Sequence, residues 1–358
     1  MFRIEYNHVL ANQYADNIVK KLDKKIERIL KPGFSLTRKL ESGTTVNVVV
    51  SQNGFTRQFL NDYRENTDLL LLLRGDIDYL RRVITRVKND SREHFVRLDN
   101  DKYNRCYPGQ RVIDDFHTII SYLFVKLGYE SNLINLENIV DDFGLKVCPY
   151  CGHTFISSVK YQRGNGKLNV AKAQVDHFFP KGLYPFLALS YANFIPSCPS
   201  CNESHKYTQD VLDANGHMRL MSPYEFDDNK FHFYFGLKQI GLMDDDNIEV
   251  NTRFNITSVA DLALKDGYEH ILGIDKLYEY HNDVVMDILI KKVIELTAQK
   301  YYYQHGIKID ERFLNRYITA YYGYEPSPSN DKRRIMSKFI RDIVKQVEQM
   351  TRRRIGHI

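Results

Sequence analysis

The chain has 358 residues, 43% of them hydrophobic and 27% charged, with a formal net charge of +5. That balance excludes a disordered or low-complexity chain and leaves room for two or three sub-domains. No stretch approaches the roughly 18 apolar residues that span a bilayer, and the opening MFRIEYNHVLANQYADNI has no signal-peptide pattern, so a soluble, cytoplasmic protein is expected.

Residues 13–30 place Ile18, Val19, Leu22, Ile26 and Ile29 at helical spacing, and Pro32-Gly33 ends that segment. TTVNVVVS, residues 44–51, is a β-branched strand candidate. The pattern is helical from Thr56 to Lys88, with a break expected at Gly75. A further helix is expected over 111–127, where Val112, Ile113, Phe116, Ile119, Ile120, Leu123 and Phe124 form a broad apolar face. Region 1–140 therefore reads as mainly helical. In region 141–215 Gly, Pro, Cys and His concentrate; KLNVAKAQVDH (167–177) is a strand candidate and 203–212 a helix candidate. Region 216–358 holds KFHFYFGLK (230–238), an alternating strand candidate, and the acidic run Asp244 to Asp246, read as a surface loop. A helical pattern covers 274–304, a loop covers 324–331, and an amphipathic basic helix covers 332–354, with Ile335, Phe339, Ile340, Ile343 and Val347 on one side. No repeat at a fixed period is present. The fold class expected is α+β, a mainly helical protein with a small metal-stabilised domain in the middle.

Five cysteines are present. Cys148 and Cys151 form one C-x-x-C pair, Cys198 and Cys201 another, with 46 residues between them, and Cys106 stands alone as a buried or indifferent thiol. Each pair can place two thiolates on one ion from a tight turn, and two such knuckles make a closed four-thiolate structural zinc site. Gly152 suits the turn that a knuckle needs.

Between the knuckles, a strand candidate ends at Asp176-His177, and Asn193, Cys198, Cys201 and Asn202 follow. Hydrolysis of a phosphodiester needs a base to activate water and a cation to stabilise charge on phosphate and leaving oxygen. A neutral His can take the proton near pH 7. The Asp176 carboxylate and the Asn202 amide oxygen suit a hard cation such as magnesium or manganese.

The order C-x-x-C, Asp-His, Asn, C-x-x-C-Asn resembles the HNH endonuclease family with its ββα-metal fold. The likeness covers roughly residues 147–210. DHFFPKGLYPFLALSYANFIPSCPSCN is also similar to nucleases of bacterial phage-defence systems, such as the nuclease subunit of Septu-type systems, which works with an ATPase partner. The resemblance implies His177 as general base, Asp176 as metal ligand, Asn193 as the residue that holds base and loop, and Asn202 as second ligand of a catalytic Mg²⁺ or Mn²⁺. Many zinc-containing members have Lys three residues after this Asn; here His205 stands there and Lys206 follows. That leaves His205 open between a further ligand and a phosphate contact, and Lys206 as a backbone contact.

Lys181, just after the Asp-His strand, is placed to touch phosphate. Residues 332–354 hold nine Lys or Arg against two acids, so Arg352, Arg353 and Arg354 are candidates for nucleic-acid binding; a solvated helix face that packs its other side on the core is the equal alternative. Metal-dependent cleavage of DNA, or of RNA, is the leading expectation. The alternative is a zinc-containing nucleic-acid-binding or partner-binding module without nuclease activity.

Overall fold

The computed structural model describes residues 1–39, 43, 45–52, 54–65, 68–90, 112–113, 116–131, 133–156, 159–163, 166–170, 173–239, 244–306 and 311–355. Cys106 lies outside the described residues. Helices and small sheets are mixed, and the chain folds into two compact units of discontinuous segments. One is Tyr6–Asp142 with Asp176–Ile195; the other is Met1–Glu5, Phe143–Val175 and Pro196–Ile358.

In the first unit, α1 (His8–Leu30) starts before residue 13 because Asn7 caps it. The Asn7 side-chain oxygen accepts the Val9 and Leu10 N–H groups, both at 3.1 Å. Ala11, Ala15, Ile18, Leu22, Ile26 and Ile29 form its buried stripe. Strand β1 (Ser35–Lys39) pairs antiparallel with β2 (Thr45–Val49). The helical stretch that follows is α2 (Phe55–Glu65), α3 (Asp68–Arg74) and α4 (Ile77–Asp90), with Gly75 at the second break. A Cβ at Gly75 would meet the Leu71 carbonyl at 2.6 Å.

The helix expected over 111–127 is shorter. Val112–Ile113 form β3, parallel to β2, and α5 (Phe116–Ile120) opens into a π-helical turn, Ser121–Lys126. A β-branched Val-Ile pair fits either period, and the available partner strand decided. The unit's last helix is α6 (Leu136–Phe143). Phe59 of α2 and Phe116 of α5 pack at 5.1 Å, and Phe186 from the returning segment lies 6.1 and 6.5 Å from them.

Beyond α6, β4 (Val159–Arg163) and β5 (Gly166–Val170) form a hairpin, and β6 (Gln174–His177) pairs with β7 (Phe194–Ser197). The single strand expected over 167–177 is therefore two strands in two sheets. A π-helical turn, Ser200–Lys206, replaces the helix expected over 203–212. β8 (Phe231–Leu237) pairs antiparallel with β9 (Ile248–Phe254); α7 (Val259–His270), α8 (Ile274–Glu279), α9 (Asn282–Gln304), α10 (Glu311–Tyr322) and α11 (Ser337–Ile355) follow. The acidic run is a turn in which Asp244 accepts the Asp246 N–H at 3.3 Å.

Helix α11 closes the free edge of β8. The Phe233 N–H donates to Asp342 at 3.1 Å, and the Gln346 amide both accepts the Phe235 N–H at 2.9 Å and donates to its carbonyl at 2.8 Å. Asp342 and Gln346 are one helical turn apart, close to the spacing of two strand residues, so their side chains stand in for a third strand. The Tyr278 ring packs between Phe233 at 4.4 Å and Phe339 at 5.1 Å.

The basic residues early in α11 are used in packing. Lys338 lies 3.0 Å from Asp228 and 3.1 Å from Asp342. Arg341 forks onto Asp331 with contacts of 2.7 and 2.8 Å, and both are buried. Removing one member of such a pair strands the other charge. Arg341→Ala is therefore expected to cost about 3–5 kcal/mol of unfolding free energy, read from urea denaturation; a cost below about 1 kcal/mol would show that the pair is solvent-screened.

Candidate functional site

Both knuckles close in the same way. The Gly152 N–H donates to the Cys148 carbonyl at 2.8 Å, and the Asn202 N–H donates to the Cys198 carbonyl at 3.1 Å. Gly152 has φ of +67°, and a Cβ there would collide with the Met1 backbone nitrogen. Cys148, Cys151, Cys198 and Cys201 are buried, unpaired by disulfide, and their sulfurs lie within 4.8 Å of one another. Burial pushes the Cys148 thiol well up, whereas hydrogen bonds from the neighbouring thiols hold Cys151 well down. The His153 N–H also donates to the Cys151 sulfur at 3.4 Å.

A tetrahedral zinc with Zn–S bonds of about 2.3 Å sets its sulfurs roughly 3.8 Å apart, so the four donors fit a structural zinc in both chemistry and spacing. The knuckle is tied to its surroundings. Tyr278 Oη donates to the Cys151 carbonyl at 2.8 Å, and the Met336 N–H to the Gly152 carbonyl at 2.6 Å. Burial, with the cysteine charges behind it, keeps the Tyr278 hydroxyl protonated and thus a donor.

The Asp-His pair ends β6 in the helical unit. Asp176 and His177 are buried, at 3% and 5% exposure. His177 Nε2 lies 2.9 Å from the Ala188 carbonyl. A carbonyl only accepts, so Nε2 carries the hydrogen and the neutral ring has its lone pair on Nδ1. The Tyr129 ring meets His177 edge-on at 4.6 Å, and Lys181 Nζ sits 5.1 Å from the same ring's centroid. Burial first and the Asp176 charge second push the Tyr129 hydroxyl up to about 12. Tyr129 lies in the turn Tyr129–Ser131, far upstream, and nothing in the sequence pattern marks it.

Asn193 ties the loop after the Asp-His pair. Its side-chain oxygen accepts the Phe179 N–H at 2.7 Å, and its Nδ2 donates to the Phe179 and Leu187 carbonyls at 3.0 and 3.1 Å. Its own carbonyl accepts the Phe178 N–H at 2.8 Å. The loop is held on the helices by Ser190 Oγ to the Leu72 carbonyl at 2.6 Å and Tyr14 Oη to the Leu189 carbonyl at 2.8 Å.

The remaining candidate residues lie in the unit with the four cysteines, on the π-helical turn Ser200–Lys206. Asn202 Nδ2 donates to Gln174 Oε1 at 2.8 Å, and the Gln174 amide donates in turn to Glu203. The Asn202 side-chain oxygen is the acceptor end of that amide. Gln174 is a site residue the sequence reading missed; its signal is its place two residues before Asp176, on the same strand face. His205 is half-buried, whereas Lys206 is fully buried. The side chains of Arg352, Arg353 and Arg354 lie outside the described residues. No protein-family model, curated protein or solved structure matches the chain.

Two substitutions separate the roles described above. Cys198→Ser leaves an incomplete shell, so metal analysis is expected to find less zinc per chain, and limited proteolysis to find the region 147–210 opened. Asn193→Ala strands three backbone groups that the side chain satisfies. It is expected to cost about 3 kcal/mol or more in urea unfolding, at unchanged zinc content.

Proposed function

We propose that this chain is a metal-dependent HNH endonuclease that hydrolyses phosphodiester bonds in DNA. The observation that carries the reading is the ordered pattern Cys148-Cys151, Asp176-His177, Asn193, Cys198-Cys201-Asn202, whose four cysteines lie within 4.8 Å of one another. In this reading the zinc is structural and closed to substrate. His177 takes a proton from water on Nδ1, the nitrogen opposite the one that the Ala188 carbonyl holds. Asp176 and Asn202 are each an oxygen donor suited to magnesium or manganese, and Lys181 meets phosphate. The similarity to phage-defence nucleases adds an ATPase partner and an antiviral setting to the proposal.

One observation favours a second reading. The near-complete burial of Asp176 and His177 suits a core pair that shapes the loop of a zinc-containing binding module. Plasmid cleavage decides between them. His177→Ala is expected to lose about 10²–10⁴-fold in rate while keeping zinc and fold. Asp176→Ala and Asn202→Ala are expected to shift the metal titration, with partial recovery at high manganese. Wild-type cutting by His177→Ala, or loss of its fold, would leave the binding module as the better account.

A further inference from the structure

We propose that Tyr207 is a stacking platform for an unpaired base of single-stranded DNA, a role that rests on the nucleic-acid reading given above. Tyr207 closes the π-helical turn of the second knuckle: its N–H donates to the Asn202 carbonyl at 2.9 Å. Its backbone lies at φ 40° and ψ −117°, a region that side chains with a Cβ avoid and glycine enters freely. The hydrogen bond that closes the turn uses only backbone atoms, so glycine would serve the fold as well.

What the tyrosine adds is its ring, and the ring stands 68% exposed, with no aromatic partner among the described residues. Met336, the other residue outside glycine with positive φ among the described residues, differs. Its φ of 58° starts α11, and its N–H reaches the Gly152 carbonyl of the first knuckle, so packing accounts for it. At Tyr207 backbone strain holds an aromatic ring out in solvent at the end of the turn that Asn202 and His205 share. Strain of this kind persists where the structure or a ligand contact repays it.

The ring offers a flat π-face and little charge. Lys206, its neighbour, is buried. The matching ligand is therefore a planar nucleobase. A base stacked within a duplex presents only its edges, so the base must be unpaired.

The test uses the full zinc-loaded chain without added magnesium, and fluorescence anisotropy with a fluorescein-labelled oligothymidylate. Tyr207→Phe is expected to bind as wild type does. Tyr207→Leu and Tyr207→Gly are expected to bind roughly 5- to 150-fold more weakly, whereas affinity for a blunt duplex changes little. Tyr207→Gly is also expected to melt at or above the wild-type temperature, because the backbone strain is gone. Wild-type affinity in the Leu and Gly variants, no binding by the wild-type chain, or a lower melting temperature for Tyr207→Gly would each overturn the proposal. The readout is independent of cutting: if plasmid cleavage fails while this dependence on the ring holds, the nuclease reading falls and the stacking site stands.

Discussion

Four buried sulfurs within 4.8 Å of one another make the strongest demand on the unit that carries them. Buried thiols that close together cannot all ionise without a cation, and cannot all stay neutral once one binds. A metal ion such as zinc would resolve that conflict and join chain segments 46 residues apart. The demand spreads outward through backbone atoms. The Cys151 and Gly152 carbonyls are taken by Tyr278 and Met336, so the first knuckle is part of the same core as β8 and α11. Removing the cation would act on that core as well as on the knuckles.

The helical unit meets a different constraint: a loop rich in aromatic and apolar side chains must be buried without stranding its backbone. Asn193 does most of this, because one side-chain amide satisfies an N–H and two carbonyls of the loop around it. Ser190 and Tyr14 do the rest from the helices. His177 is fixed by the same economy, since the Ala188 carbonyl that needs a donor also sets which ring nitrogen carries the proton. Satisfying that carbonyl and fixing the ring tautomer thus come from one hydrogen bond.

Charge is divided by depth. Lys338 and Arg341 belong to the basic tail by sequence, yet their partners are the buried Asp331 and Asp342 and the half-buried Asp228. Asp228 shows the effect: burial works upward on its carboxyl, but Lys338 and Arg341 outweigh it and hold the group below the usual range. A net positive helix therefore says little about polyanion binding until its buried members are set aside.

Sequence alone determined what depends on short-range order. Paired cysteines two residues apart need only a tight turn, so the four-thiolate cluster was legible from spacing, as was Gly152 at its positive φ. Strong periodicity placed α1, the break at Gly75 and the apolar side of α11. Tertiary structure decided what needs a partner. Val112–Ile113 became a strand because β2 was there to pair with, and 167–177 split because its two halves joined different sheets. Discontinuous units, the Tyr129 ring on His177 and the Gln174 grip on Asn202 join residues far apart in the chain, where no local pattern records the contact. The strained turn at Tyr207 belongs to the same class: nothing in its side chain foretells a glycine conformation, and only the closure of the knuckle and the π-helical turn imposes it.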